Sequence, residues 1–313
     1  MDRCQIDYSC ARNQTMKMDT VEEKMPASGP KLIDVEQVIA QKSPSLHKLM
    51  PSFVIRYLKR IIHQDEVNNF LIKNHHKQGL EFVDAVVDIF NPEVIIQGEH
   101  NLSTSKRMVV ASNHPLGGLD GVVLMQAIGR VRPDLQFPVN DILLHLENLR
   151  PLFIPINKHG SNAENIRIFN QTFQSDAVVS YFPFGLVSRK QKGIIRDLDW
   201  KKTFLTKAKA YKRDIVPTHI DGRNTDFFYN LSNIRKRLGI KANIEMLYLA
   251  DEFFKQKNKT LTITFGEPIP YQLFDKKYPD HIWAERLRGF VYYLASNPEA
   301  TFDPETDYLK IIC

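Results

Sequence analysis

After Pro92 the hydrophobic pattern of this chain changes period, and that change restricts the possible folds more than any other feature. Short apolar runs bounded by turn residues begin to alternate with helical stretches. The runs at 94–96, 108–111, 153–156, 177–182, 215–220 and 261–265 read as buried strands. Helical segments are expected near 119–129, 162–174, 200–212, 225–237, 243–257 and 281–296. Strands alternating with helices over about 200 residues predict an α/β domain, a mixed buried sheet flanked by helices.

Ahead of that body the pattern is helical. Pro51 and Ser52 form a start signal, and Phe53, Ile55, Leu58, Ile61 and Ile62 follow at roughly helical spacing. Arg56, Lys59 and Arg60 lie between them. This basic, amphipathic helix is expected to pack on its own domain; lying in a membrane interface is the alternative. A further helix carrying Leu80, Phe82, Val83, Val86, Val87 and Phe90 should end near Asn91-Pro92. The expected organisation is a polar tail (1–30), a helical region (31–91) and the α/β domain (92–313).

Composition narrows the class. The 313 residues are 43% hydrophobic and 25% charged, near the globular average, which excludes a disordered chain. The three cysteines, Cys4, Cys10 and Cys313, lie at the chain ends, match no metal-ligand spacing and suit a reducing cytosol. No window approaches the roughly 18 apolar residues of a spanning helix. The first 30 residues hold no apolar core of a secretory signal. The formal charge of +6 is uneven: residues 189–213 hold ten Lys or Arg against Asp197 and Asp199, a net of +8, so the remainder sums to −2. Such a run attracts polyanions or is simply a solvated face. Trp200, Phe204, Ala208 and Tyr211 fall on one helical face within it, which predicts inward packing and argues against a nucleic-acid stacking platform.

Four segments can carry chemistry. In NHPLGGLD, His114 leaves a buried strand and Asp120 opens the next helix, with Gly117 and Gly118 able to fold the loop back. The carboxylate would bond one imidazole nitrogen and fix its tautomer, leaving the other to act as general base on a hydroxyl. The plainer alternative is a helix-capping Asp beside a loop His. The strand ending in FPFGLVSR has a basic exit, where backbone amides and Arg189 suit an anionic headgroup or phosphate. FIPINK and IVPTHI are two further strands, one ending in polar groups and one broken by a proline. His75 and His76 make a poor metal pair, because adjacent helical residues point about 100° apart.

Taken in order, the four blocks resemble the glycerolipid acyltransferase family, whose members include the enzymes that form phosphatidic acid from lysophosphatidic acid. The resemblance spans about residues 94–270 and is nearest to the hemolysin-like branch that acylates lyso-ornithine and lyso-glycine lipids, in the form seen in Bacteroidetes. Two departures stand out. Asp120 comes one residue later than the family spacing, with Leu119 at the expected place, and the third block has Phe184 where the family has Glu.

The resemblance implies transfer of a fatty acyl group from acyl carrier protein or coenzyme A to the hydroxyl of a lyso-lipid, with His114 as base and Asp120 as its orienting partner. It implies no metal or redox cofactor, because the thioester is already activated. Asn157, Lys158, Gly185, Ser188 and Arg189 are the expected acceptor contacts. Phe184 in place of an acid favours an amino-acid lipid over lysophosphatidic acid, which is the alternative acceptor. The expected partners are the carrier, the lyso-lipid and an anionic membrane surface, with no nucleic acid. The expected place is the cytoplasm, peripheral to the inner membrane. A non-catalytic basic binding protein is the alternative of another class, and it would have no use for the His114–Asp120 pair.

Overall fold

The structure, a computed structural model, describes residues 32–140, 143–156 and 163–311. Residues of the expected polar tail lie outside that range. Five helices come first: α1 (Val35–Lys42), α2 (Pro44–Leu49), α3 (Ser52–Ile61), α4 (Gln64–Asn74) and α5 (Gly79–Phe90). Helix α5 stops where Asn91 turns left-handed (φ 43°) and Pro92 follows, so the break read from sequence has a backbone cause.

The sheet contains β1 (Glu93–Gln97), β2 (Met108–Ser112), β5 (Val179–Tyr181), β8 (Asp214–Asp221) and β9 (Thr260–Phe265), in the order β1-β9-β8-β2-β5. Strands β8, β2 and β5 run parallel, whereas β9 runs antiparallel to β8 and parallel to β1. Every residue of β2 is buried, as expected of a strand covered on both faces. Alternation along β2 sends Met108 and Val110 to one core and Val109 and Ala111 to the other. The first core is closed by α5 and by α6 (Leu119–Val131), a helix buried continuously from Leu119 to Gly129. The second is closed by α7 (Ala163–Gln174), α8 (Thr203–Ala210) and α11 (Asp280–Leu294).

Pro217 sits in the middle of central strand β8 and has no N–H to donate. It falls where the antiparallel partner changes: Ile215 pairs with Ile269, Thr218 pairs with Phe265, and Gly266 N donates to the Pro217 carbonyl at 2.8 Å. The apolar run at 153–156 forms a strand outside the central sheet. It is β4 (Phe153–Pro155), paired in parallel with the three-residue β3 (Phe137–Val139). A hairpin of β6 (Arg189–Gln191) and β7 (Ile194–Arg196) follows β5, and α9 (Asp226–Arg237) follows β8. The expected helix at 243–257 is a 3-10 turn, Ile244–Tyr248, leading into the short α10 (Leu249–Phe254). A last turn, α12 (Tyr308–Ile311), packs its Tyr308 into the second core.

Candidate active site

The loop from β2 to α6 turns back on itself so that Asp120 faces the residues before it. His114 Nδ1 lies 2.9 Å from Asp120 Oδ2. The same carboxylate accepts backbone N–H bonds from Leu116 and Gly117 at Oδ2 and from Gly118 and Gly121 at Oδ1. Gly117 has φ +79°, which an L side chain rarely adopts. A Cβ on Gly118 would stand 2.5 Å from the Phe253 ring. These two glycines shape the turn that brings Asp120 back to His114.

The carboxylate is wholly buried, and burial alone would raise its pKa. The His114 charge and hydrogen bond, with the Leu116 and Gly117 amides, outweigh that and hold it below the usual carboxylate range. Asp120 is therefore an acceptor only, so Nδ1 carries the proton toward it and the neutral ring offers a lone pair at Nε2. For His114 burial acts downward, but Asp120, and more weakly Asp197, raise the pKa above 6.5. The ring stacks on Phe182 at 3.9 Å, retains 18% side-chain exposure, and has no hydrogen-bond partner at Nε2 among the described residues. The arrangement leaves Nε2 free to take a proton from a group placed beside it.

A second buried carboxylate, which sequence reading treated only as an offset to the basic run, stands behind the same loop. Asp197 Oδ1 accepts from Ser188 Oγ at 2.6 Å and from His114 N at 3.3 Å, and Oδ2 accepts from Trp200 Nε1 at 2.9 Å. Burial raises its pKa, against the opposing pull of Ser188, Trp200 and His114. Its own N–H donates to Tyr292 Oη at 2.7 Å. The turn after β5 is thus tied to the histidine loop twice, since Ser188 N also donates to the His114 carbonyl at 2.8 Å.

The remaining expected contacts distribute unevenly. Ser188 is buried and lines a cavity described below. Gly185 is exposed with φ +68°. Asn157 and Lys158 lie outside the described residues. Arg189 is 3% exposed and pairs with Glu245 at 3.2 Å, a carboxylate that Arg235 also binds, while its guanidinium lies over Phe228. It therefore stands inside an ion cluster rather than at an entrance. Phe184 is 8% exposed and packs in the second core, so its apolar character serves packing there.

The basic run is less of a surface than its composition suggests. Arg213 is fully buried, donating to the carbonyls of Phe173, Met108, Ala177, Thr172 and Ser175, and burial pushes its pKa down to about 10. Lys190 and Lys209 pair with Asp226 and Asp280, both outside the run. Lys192, Lys201, Lys202 and Lys212 remain exposed. Trp200, Phe204 and Ala208 pack inward, as their spacing predicts.

A cavity of about 500 Å³ opens at the carboxyl ends of β2 and β8, where the N-terminal end of antiparallel β9 also lies. Asn113 and Pro115, the neighbours of His114, form one wall, with Ser188 and Tyr292 beside them. His219 lines it as a neutral ring, because burial pushes its pKa down to about 4. An unfolded chain would protonate this histidine near 6.5, so its contribution to stability is lost as pH falls from there toward 4. Among the described residues no three His, Cys, Asp or Glu side chains converge as a metal site requires, and no helix is long and apolar enough to cross a membrane.

Comparison with known proteins identifies the family. A family model described as acyltransferase matches residues 37–297. Two relatives called lyso-glycine lipid O-acyltransferase are similar over 265 residues, 84% of this chain. The protein from Bacteroides thetaiotaomicron is 49% identical with 97% of its length covered, and that from Phocaeicola vulgatus is 47% identical with 95% covered. Among solved structures, the 1-acyl-sn-glycerophosphate (LPA) acyltransferase PlsC from Thermotoga maritima aligns with a TM-score of 0.43 and 15% identity, over 83% of this chain and 93% of that one. With a family match over most of its length and relatives near half identical, this chain belongs to the acyltransferase family and is an acyltransferase.

Proposed function

We propose that the protein moves a fatty acyl group from a thioester, on acyl carrier protein or coenzyme A, to a hydroxyl of a lyso-glycine lipid. The observation that carries the mechanism is the buried His114–Asp120 pair with Nε2 left open; the acceptor class is taken from the names of the two relatives. Glycine has no hydroxyl, so the accepting oxygen belongs to the lipid's own chain, and an amide-linked glycine keeps its carboxylate free.

His114 Nε2 takes the hydroxyl proton as the oxygen bonds to the thioester carbonyl carbon. The C–S bond then breaks, and the proton passes from Nε2 to the departing sulfur, giving an ester and a free thiol. Asp120 keeps Nδ1 protonated and offsets the transient imidazolium charge. Ser188 and Gly185 are the acceptor contacts supported by their place on the turn beside this loop, and Asn157 and Lys158 keep the role their block implies.

Access to a lipid is supported by α3. Phe53 is 65% exposed on it and Tyr57 39%, with Arg56 and Arg60 exposed alongside. With Lys192, Lys201, Lys202 and Lys212 these groups suit peripheral contact with an anionic inner-membrane surface from the cytoplasmic side. The deciding experiment offers purified protein a lyso-glycine lipid and lysophosphatidic acid together, with acyl-CoA or acyl carrier protein as donor. Preferential esterification of the glycine lipid is expected; preference for lysophosphatidic acid, or no transfer from either donor, overturns the assignment.

A further inference from the structure

Burial of Arg189 leaves the headgroup without the cation that the sequence offers most directly. The cavity beside the histidine loop supplies two others. Arg223, just past the end of β8, and Lys259, just before β9, both line it. We infer that Arg223 and Lys259 bind the free carboxylate of the acceptor, so that this cavity is the headgroup site; the inference rests on the glycine-lipid reading above.

Among the described residues the charges lining the cavity are Arg223, Lys259 and Asp221, two cations to one carboxylate. His219 adds no charge at neutral pH. Arg223 donates one N–H to Asp226 at 2.8 Å, between side chains 57% and 60% exposed. Such an exposed pair is worth about 0–1 kcal/mol, and a guanidinium has further N–H donors arranged to grip a carboxylate. The Arg223 backbone is held in place, since the buried Gln256 donates to its carbonyl at 3.3 Å. Apolar groups share the lining: Ile195, Leu261 and Ala295 border the same space. A cavity lined by both cations and hydrocarbon suits an amphiphile with an anionic head. Its position matters equally, because Asn113 and Pro115 belong both to its wall and to the loop that presents His114.

The test compares lyso-glycine lipid with its methyl ester, which keeps the hydroxyl and loses the negative charge. Wild-type protein should use the free acid about tenfold to a hundredfold better in kcat/KM, the range for losing charge-assisted hydrogen bonds. In Arg223→Gln with Lys259→Gln that preference should collapse toward one, mainly through KM for the acceptor. Both side chains are exposed, so a melting curve close to wild type is expected and checks the fold. Equal use of acid and ester by wild type overturns the carboxylate site while leaving the acyltransfer reading intact. A rise in KM for the thioester donor alone assigns these cations to donor phosphates and also overturns it. Transfer to neither lipid sinks both readings.

Discussion

Two carboxylates lie fully buried within one loop of each other, and they respond to burial in opposite ways. Asp120 is held below the ordinary carboxylate range and Asp197 above it. Asp120 receives five donors, four of them backbone N–H groups of its own loop and the fifth an imidazole that can itself carry charge. Asp197 receives three, one from a hydroxyl, one from an indole and one from the His114 backbone. Donor number and the presence of a titratable partner therefore decide the sign, because the desolvation penalty is common to both. The residue suited to orienting a base is the one kept ionised; the other braces the loop from behind.

The comparison can be broken most directly at His114, whose ring bonds Asp120 and whose backbone N–H bonds Asp197. His114→Ala should lower the rate of acyl transfer about a hundredfold to ten-thousandfold, the range for removing a general base. Its melting temperature should stay close to wild type, because the lost ring is partly exposed. Near-normal turnover by the folded variant would end the assignment of His114 as base. The next effect in size separates the two acids. In Asp120→Asn the new NH₂ faces at least two backbone N–H donors whichever way the amide turns, so a loss of about 3 kcal/mol in denaturant unfolding is expected, together with impaired turnover. Asp197→Asn can aim its NH₂ at Trp200 alone and should lose only about 1–2 kcal/mol. Equal losses would remove the distinction drawn from donor count.

The smallest effect is in the pH dependence. A carboxylate with a raised folded-state pKa holds its proton longer than the unfolded chain does. Its contribution therefore declines as pH rises from 3.8 through the raised value. The stability of Asp197→Asn relative to wild type should accordingly improve with rising pH across that window. With His114 as the proposed base, the acid limb of kcat/KM should move to lower pH in the same variant, because one of the negative neighbours that raise its pKa above 6.5 is gone. An unmoved limb would reduce Asp197 to a structural brace.

The two acids also differed in how readily the sequence showed them. His114 and Asp120 are six residues apart, at the junction of an apolar strand and an apolar helix, so local pattern places them together. Asp197 meets the His114 backbone across 83 residues, and no spacing rule carries that far. Counting charge says little about the segment around it, because formal charge is blind to burial: Arg189 and Arg213 are core groups, the first paired with Glu245 and the second bonded to carbonyls. The stripe of Trp200, Phe204 and Ala208 was readable because helical spacing and burial coincide there. Strand β3 and the β6–β7 hairpin leave no apolar run to read, since β3 is split by Pro138 and the hairpin strands carry Arg189, Lys190 and Arg196. Arg223 and Lys259 had no local signal at all. They meet only because β8 and β9 lie side by side.

Asn113, the residue before His114, donates from Nδ2 to the Ile220 carbonyl at 2.9 Å and accepts from Ile220 N at 2.7 Å, across 107 residues of chain. Its side chain thereby continues the β2–β8 ladder one step beyond the end of the backbone pairing. The consequence concerns the order of assembly during synthesis. A growing chain that has not yet reached Asp214 already contains His114 and Asp120, but lacks the strand to which their loop is pinned. Closing a contact over so long a separation belongs late in folding. The loop carrying His114 and Asp120 is therefore pinned only when β8 docks, and an incomplete chain holds the pair without that support.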